Sequence, residues 1–166
     1  VFLFDNEPAT EYADTIVSDA MEMSIDLGCR AIKVLNIWMW IVHYLNTAVD
    51  ECRSPNNDSN NGHIDEAAAL WEGSQLFAMA QRLGPSFGHA QIDGFTYLNR
   101  NIVSRFVKAR DIVSKTNNQC TDADIHDLRI TVKETVSFMT AVLIQEIIDA
   151  MLSDTTTIKT KQEVVE

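Results

Sequence analysis

The sequence predicts an all-α fold, an antiparallel up-and-down helical bundle of about five helices. Three observations carry this. Apolar residues recur at three- and four-residue spacing through every long segment, which is the period of a helix with one buried face. The helix breakers gather between those segments, with three of the six glycines and one of the three prolines falling within residues 84–94. No alternating strand pattern competes, apart from residues 1–4. Short connections favour neighbours that run up and down.

The first helix is expected over residues 8–27, with Pro8 in its first turn and Gly28 at its C-terminal cap. Tyr12, Ile16, Ala20, Met23 and Leu27 form its apolar line. The second is expected over residues 30–51. Ile32, Leu35, Trp38, Met39, Ile41, Val42, Leu45 and Val49 leave it almost no polar face, so it is placed at the centre of the bundle, with His43 as a core histidine. Residues 53–62, RSPNNDSNNG, form a polar loop. The third helix is expected over residues 63–83, bent at Gly73-Ser74 because Gly weakens a helix interior by about 1 kcal/mol relative to Ala. After the glycine-rich loop comes a fourth helix over residues 95–115, with Phe95, Leu98, Ile102, Phe106 and Val113 inward. It carries five of the thirteen basic residues, which makes it the electrostatic partner of the acidic first and last helices. Thr121-Asp122-Ala123-Asp124 resembles a capping box with Asp in place of Glu and opens a fifth helix over residues 121–152. Its inward line is Leu128, Val132, Val136, Met139, Leu143 and Ile147. Residues 1–152 are thus read as one domain and residues 153–166 as an extended or mobile tail.

The chain length of 166 residues suits one domain with a sizeable core. The formal net charge of −11 argues against nucleic acid, which needs a basic face, and against an anionic membrane surface. It favours a metal ion or a basic protein surface as partner. The most apolar run, residues 34–45, is too short to span a bilayer. With neither an initiator Met nor a signal peptide, the chain is read as a processed protein or one module of a longer one.

Cysteine placement follows from the topology. Cys29 and Cys52 bracket the second helix and lie more than about 30 Å apart at about 1.5 Å per residue, too far to bond. Cys52 and Cys120 follow the ends of helices two and four, which fall at the same end of an up-and-down bundle. A Cys52–Cys120 bridge with Cys29 left over is one reading; three reduced thiols in a cytosolic protein is the other. The Asn57-Asp58-Ser59 sequon leans towards secretion.

Chemistry concentrates at the start of the third helix. His63 and Glu66, three residues apart, share a helix face, and imidazole with carboxylate suits iron, manganese or zinc. Asp65 and Glu72 complete the candidate metal set of His63, Asp65, Glu66 and Glu72. The same acids also complement a helix dipole, by about 0.3–1 kcal/mol each. A ferritin-type site is disfavoured because Glu-x-x-His occurs nowhere. No phosphate-binding loop, dinucleotide fingerprint or nucleophile elbow occurs, and no enzymatic activity is expected. His89 and Asp93 form a second, loop-borne candidate pair, and His126 lies among Asp122, Asp124 and Asp127 without EF-hand spacing.

Residues 63–88, HIDEAAALWEGS followed by LFAMAQRLGPSFG, resemble the low-iron-inducible periplasmic, or iron-assimilation, proteins of algae. The opening Glu11-Tyr12-Ala13-Asp14 is similar too, and the likeness covers about a third of the chain. The resemblance implies a secreted, acidic, helical protein handling iron through carboxylates, with Asp65, Glu66 and Glu72 at the matching positions. The Glu-x-x-Glu pattern linked to iron binding occurs only as Glu163 to Glu166. The alternative from the residues themselves is a structural or interaction module of a larger assembly, docking basic partners on its acidic faces.

Overall fold

The computed structural model describes residues 3–4, 7–8, 18, 21–22, 25–54, 62–89, 93–115 and 120–163. It is an all-α helical bundle with one small strand pair. The chain divides into two compact units, Val1–Trp40 and Ile41–Glu166, where the sequence reading has one domain over residues 1–152.

In the first unit, β1 (Leu3–Phe4) and β2 (Glu7–Pro8) pair antiparallel, Leu3 opposite Pro8 and Phe4 opposite Glu7. The first helix expected over residues 8–27 falls mostly outside the described residues; Ser18, Met21 and Glu22 are helical. Its expected cap is not a cap. Helix α1 (Ile25–Arg53) runs straight through Gly28. A single interior Gly costs about 1 kcal/mol, and the long apolar stretch that follows outweighs it.

The second half of α1 begins the second unit. Ile41, Val42, Leu45, Ala48, Val49 and Cys52 are buried, at the three- and four-residue spacing of one face. The opposite side is not apolar in its placement. Trp40 is 55% exposed and His43 is exposed, so α1 is amphipathic rather than central, and His43 is not a core histidine. Both residues carry a polar ring nitrogen, which suits them to a boundary.

The expected third helix is two helices, α2 (Gly62–Glu72) and α3 (Gln75–Leu83). Between them Ser74 is extended (φ −99°, ψ 163°), and its hydroxyl accepts a hydrogen bond from Phe77 N (3.4 Å) while donating to Trp71 O (2.7 Å). Ser74 therefore caps one helix and closes the other. Ile64, Ala67, Trp71, Leu76, Ala80 and Leu83 carry the buried side through the break. A 3₁₀ turn (Gly84–Phe87), with Pro85 in its first turn, ends at Gly88 in the left-handed region (φ 76°).

Helix α4 (Tyr97–Lys115) buries Leu98, Ile102, Phe106, Ala109 and Val113. Phe95 is 40% exposed, because it precedes the helix rather than riding on it. A polar clasp joins α3 to the start of α4. Buried Asn99 donates to Phe77 O (3.1 Å) and Gln81 Oε1 (3.0 Å), and buried Thr96 donates to Ala80 O (3.1 Å). The Thr96 side chain packs so closely on Gly84 that a Cβ there would lie 2.5 Å from Thr96 Cγ2.

Helix α5 (Asp122–Glu163) opens with the expected capping box: Asp124 N donates to Thr121 Oγ1 (3.2 Å) and Thr121 N to Asp124 Oδ2 (2.9 Å). Leu128, Val132, Val136 and Met139 are buried, Leu143 is half-buried, and Ile147 is 60% exposed. The inward line therefore drifts round to Val142 and Gln145. The expected extended tail is instead a continuation of α5 to Glu163. Adding a residue to an existing helix gains a hydrogen bond for one fixed residue, and neither Gly nor Pro occurs after Gly94 to stop it.

Contacts define the direction of packing. Tyr97 meets Phe138, and Arg105 meets Glu134 (3.2 Å) and the Phe138 ring, so α4 and α5 run antiparallel. Asp65 meets Arg110, and Phe77 and Ala80 meet Asn99 and Thr96, so the α2–α3 arm runs antiparallel to α4. Arg82 bridges α3 to Glu146 and Asp149 of α5. Cys52 and Cys120 are joined by a disulfide with Cα atoms 5.4 Å apart, and Cys29 is free and exposed. Among the described residues no helix is long and apolar enough to cross a membrane.

Candidate functional site

The disulfide fastens the end of α1, and the next residue back, Glu51, faces the start of α2. His63 Nε2 lies 3.1 Å from Glu51 Oε1, and His63 Nδ1 lies 2.8 Å from Glu66 Oε2. Tyr44 stacks on the imidazole, with centroids 5.5 Å apart and planes 21° apart. Tyr44 and Glu51 are seven residues apart on α1, two turns along one face. One helix thus supplies a flat wall and a carboxylate, and the next supplies the imidazole and a second carboxylate.

Electrostatics follow from this placement. The hydrogen bond to Glu66 raises the His63 pKa above its ordinary value; the charges of Glu51 and Glu66 add to the rise, and partial burial opposes it. A carboxylate oxygen beside each ring nitrogen shifts His63 towards its protonated form. A cation entering here would displace that proton and find a nitrogen and a carboxylate on either side of the ring.

Of the four predicted ligands, the fold brings His63 and Glu66 together. Asp65 points elsewhere and pairs with Arg110 of α4 at 3.6 Å. Glu72 is exposed and stands nine residues beyond His63, on the opposite side of α2 and about 13 Å along its axis. Among the described residues no three His, Cys, Asp or Glu side chains form a group that would hold one ion. Glu51 is the residue that sequence reasoning missed. Its register with Tyr44 was visible, but not the meeting of α1 with α2.

The other candidates are occupied differently. His89 stacks on Tyr97, with centroids 5.1 Å apart, and Asp93 is an exposed turn residue with φ 55°. Asp124 is held below the usual carboxylate range by its hydrogen bonds from Thr121. The boundary carboxylates Glu134 and Glu146 pair with Arg105 and Arg82. No family model matches the chain, and neither the curated proteins nor the solved structures yield a match.

Proposed function

We propose that this chain is a secreted, non-enzymatic, acidic helical protein that binds or presents metal, iron first, at the surface of an algal-type cell. The observation that carries the reading is His63, set between Glu51 and Glu66 against the Tyr44 ring. Imidazole nitrogen with carboxylate oxygen is a donor set for iron, manganese and zinc. The net charge of −11 draws cations towards the site, and the likeness of residues 63–88 to iron-assimilation proteins supports the choice of iron. The Cys52–Cys120 bridge supports an oxidising compartment. The test is calorimetric titration of the full chain with ferrous and ferric iron, alone and as His63→Ala and Glu66→Ala. Binding that is lost in both variants supports the reading. No binding below about millimolar, or binding unchanged in both, sinks it.

A second reading is favoured by the Asp65–Arg110 pair and the carboxylate-bound imidazole. In it these groups only hold α1, α2 and α4 together, and the chain is a structural or interaction module whose acidic faces dock basic proteins. The same titration separates the two.

A further inference from the structure

Three helix ends meet at the Cys52–Cys120 bond. Cys52 lies in the last turn of α1, and Cys120 lies two residues before α5. Glu51, the neighbour of Cys52, reaches the first turn of α2 and stands 3.1 Å from His63 Nε2.

The two sides of the bond are not equally secure. On the α5 side, Thr121 and Asp124 bond each other's backbone N–H groups, and that box needs only residues three apart. On the α1 side, Asp50 and Glu51 place two carboxylates at the negative end of the helix dipole, which disfavours each by about 0.3–1 kcal/mol. Arg53 answers Asp50 at 3.6 Å, within the same turn. Among the described residues, the disulfide and the Glu51–His63 pair are the covalent and ionic ties from this turn to the rest of the fold. Further back Leu45, Ala48 and Val49 are buried and Tyr44 stacks on His63, so α1 is docked up to that point without the bond.

From this asymmetry we infer that the Cys52–Cys120 bond is a redox latch on the candidate site: its reduction by a dithiol frees the last turn of α1 and withdraws Glu51 from His63. A thiolate of the reductant attacks Sγ of half-buried Cys120, since Cys52 is buried. The S–S bond breaks, a mixed disulfide forms on Cys120, and the Cys52 sulfur leaves with the electron pair and takes up a proton. The reductant's second thiol attacks its own bound sulfur, closes the reductant's disulfide and releases Cys120, which is protonated in turn. The protein gains two electrons and two protons. The unlatched turn frays as an unsupported helix end does, and His63 keeps Glu66 of its own helix. Re-oxidation returns the second carboxylate. As a control on metal retention the latch rests on the reading of His63 as a metal ligand; the movement does not, and it is measured on metal-free protein.

The test compares the oxidised full chain with the same chain reduced by dithiothreitol, at one pH, by amide hydrogen exchange and nuclear Overhauser contacts. After reduction the amides of Glu51, Cys52 and Arg53 exchange at least about tenfold faster, and contacts between the Glu51 side chain and the His63 ring vanish. The Tyr44–His63 contact persists, and the Asp124 amide keeps its protection. Cys52→Ser with Cys120→Ser shows the same pattern without reductant. Glu51→Gln in the oxidised chain leaves the last turn slow to exchange, which separates the covalent tie from the ionic one. Unchanged exchange at residues 51–53 overturns the inference. So does exchange that rises throughout the chain, since the bond would then staple the whole fold, opening at Asp124 in place of Glu51, or a turn that opens in oxidised Glu51→Gln.

Discussion

Reducing the Cys52–Cys120 bond removes the single covalent tie across the helical core. The two cysteines are 68 residues apart in sequence, and the closed loop holds α2, α3, the 3₁₀ turn and α4. Closing a loop of that length withdraws about 15 cal/mol/K from the unfolded chain, or about 4 kcal/mol at 25 °C, in the chain-entropy account. For a unit of this size that corresponds to a fall in Tm of about 10–15 °C. The perturbation is Cys52→Ala with Cys120→Ala, with chemical reduction of the wild type as a parallel arm. The assay is thermal and urea unfolding followed by circular dichroism. Cys52 is buried, so the alanine pair adds a small packing loss that reduction does not. A fall under about 1 kcal/mol in both arms would refute the argument, because loop length would then not govern the bond's contribution. A Cys29→Ala control leaves the midpoint unchanged, since that thiol is free and exposed.

Other perturbations read out single contacts. His63 has a raised folded pKa, so its contribution to stability is complete below about pH 6.5 and is lost as pH rises through the folded value. Metal-free protein should therefore lose urea stability above about pH 6.5, and Glu66→Gln should flatten that slope; an unchanged slope would remove Glu66 as the cause. Asn99→Leu strips donors from Phe77 O and Gln81 Oε1 and should cost about 1–3 kcal/mol by urea unfolding, whereas Asn101→Leu, half-buried and bonded to Tyr97 O and Arg105 of its own helix, should cost less. Gly84→Ala drives a methyl against Thr96 and should cost about 1–3 kcal/mol; Thr96→Ser, which removes the opposing methyl, should recover part of it.

Residue chemistry made some of this structure readable in the sequence and hid the rest. The Thr121–Asp124 box was legible because capping is a local event that needs only residues three apart. The Cys52–Cys120 pairing was legible because helix ends in an up-and-down bundle alternate, which leaves few ways for distant cysteines to meet. The buried lines of α4 and of the first half of α5 followed from helical spacing. Helix boundaries were harder. Gly28 has the chemistry of a cap, yet it lies inside α1, because the propensity cost of one Gly is small beside the burial on the rest of that helix. The apolar run around His43 predicts a core histidine, yet His43 is exposed, because an imidazole sits equally well at a boundary. At the candidate site the sequence pointed to His63 and Glu66, joined by helix periodicity. It could not point to Glu51, because no local rule brings the end of one helix against the start of the next.

Whether the Glu51–His63–Glu66 group receives a metal ion is most directly measured by iron titration of the purified full chain, with His63 followed by imidazole proton resonances. The expected result is that iron displaces the His63 proton and shifts or broadens the His63 resonances before those of His43, His89 and His126, and that Glu66→Ala abolishes this effect. Iron that leaves His63 unaffected, or perturbs all four histidines equally in wild type and variant, contradicts it.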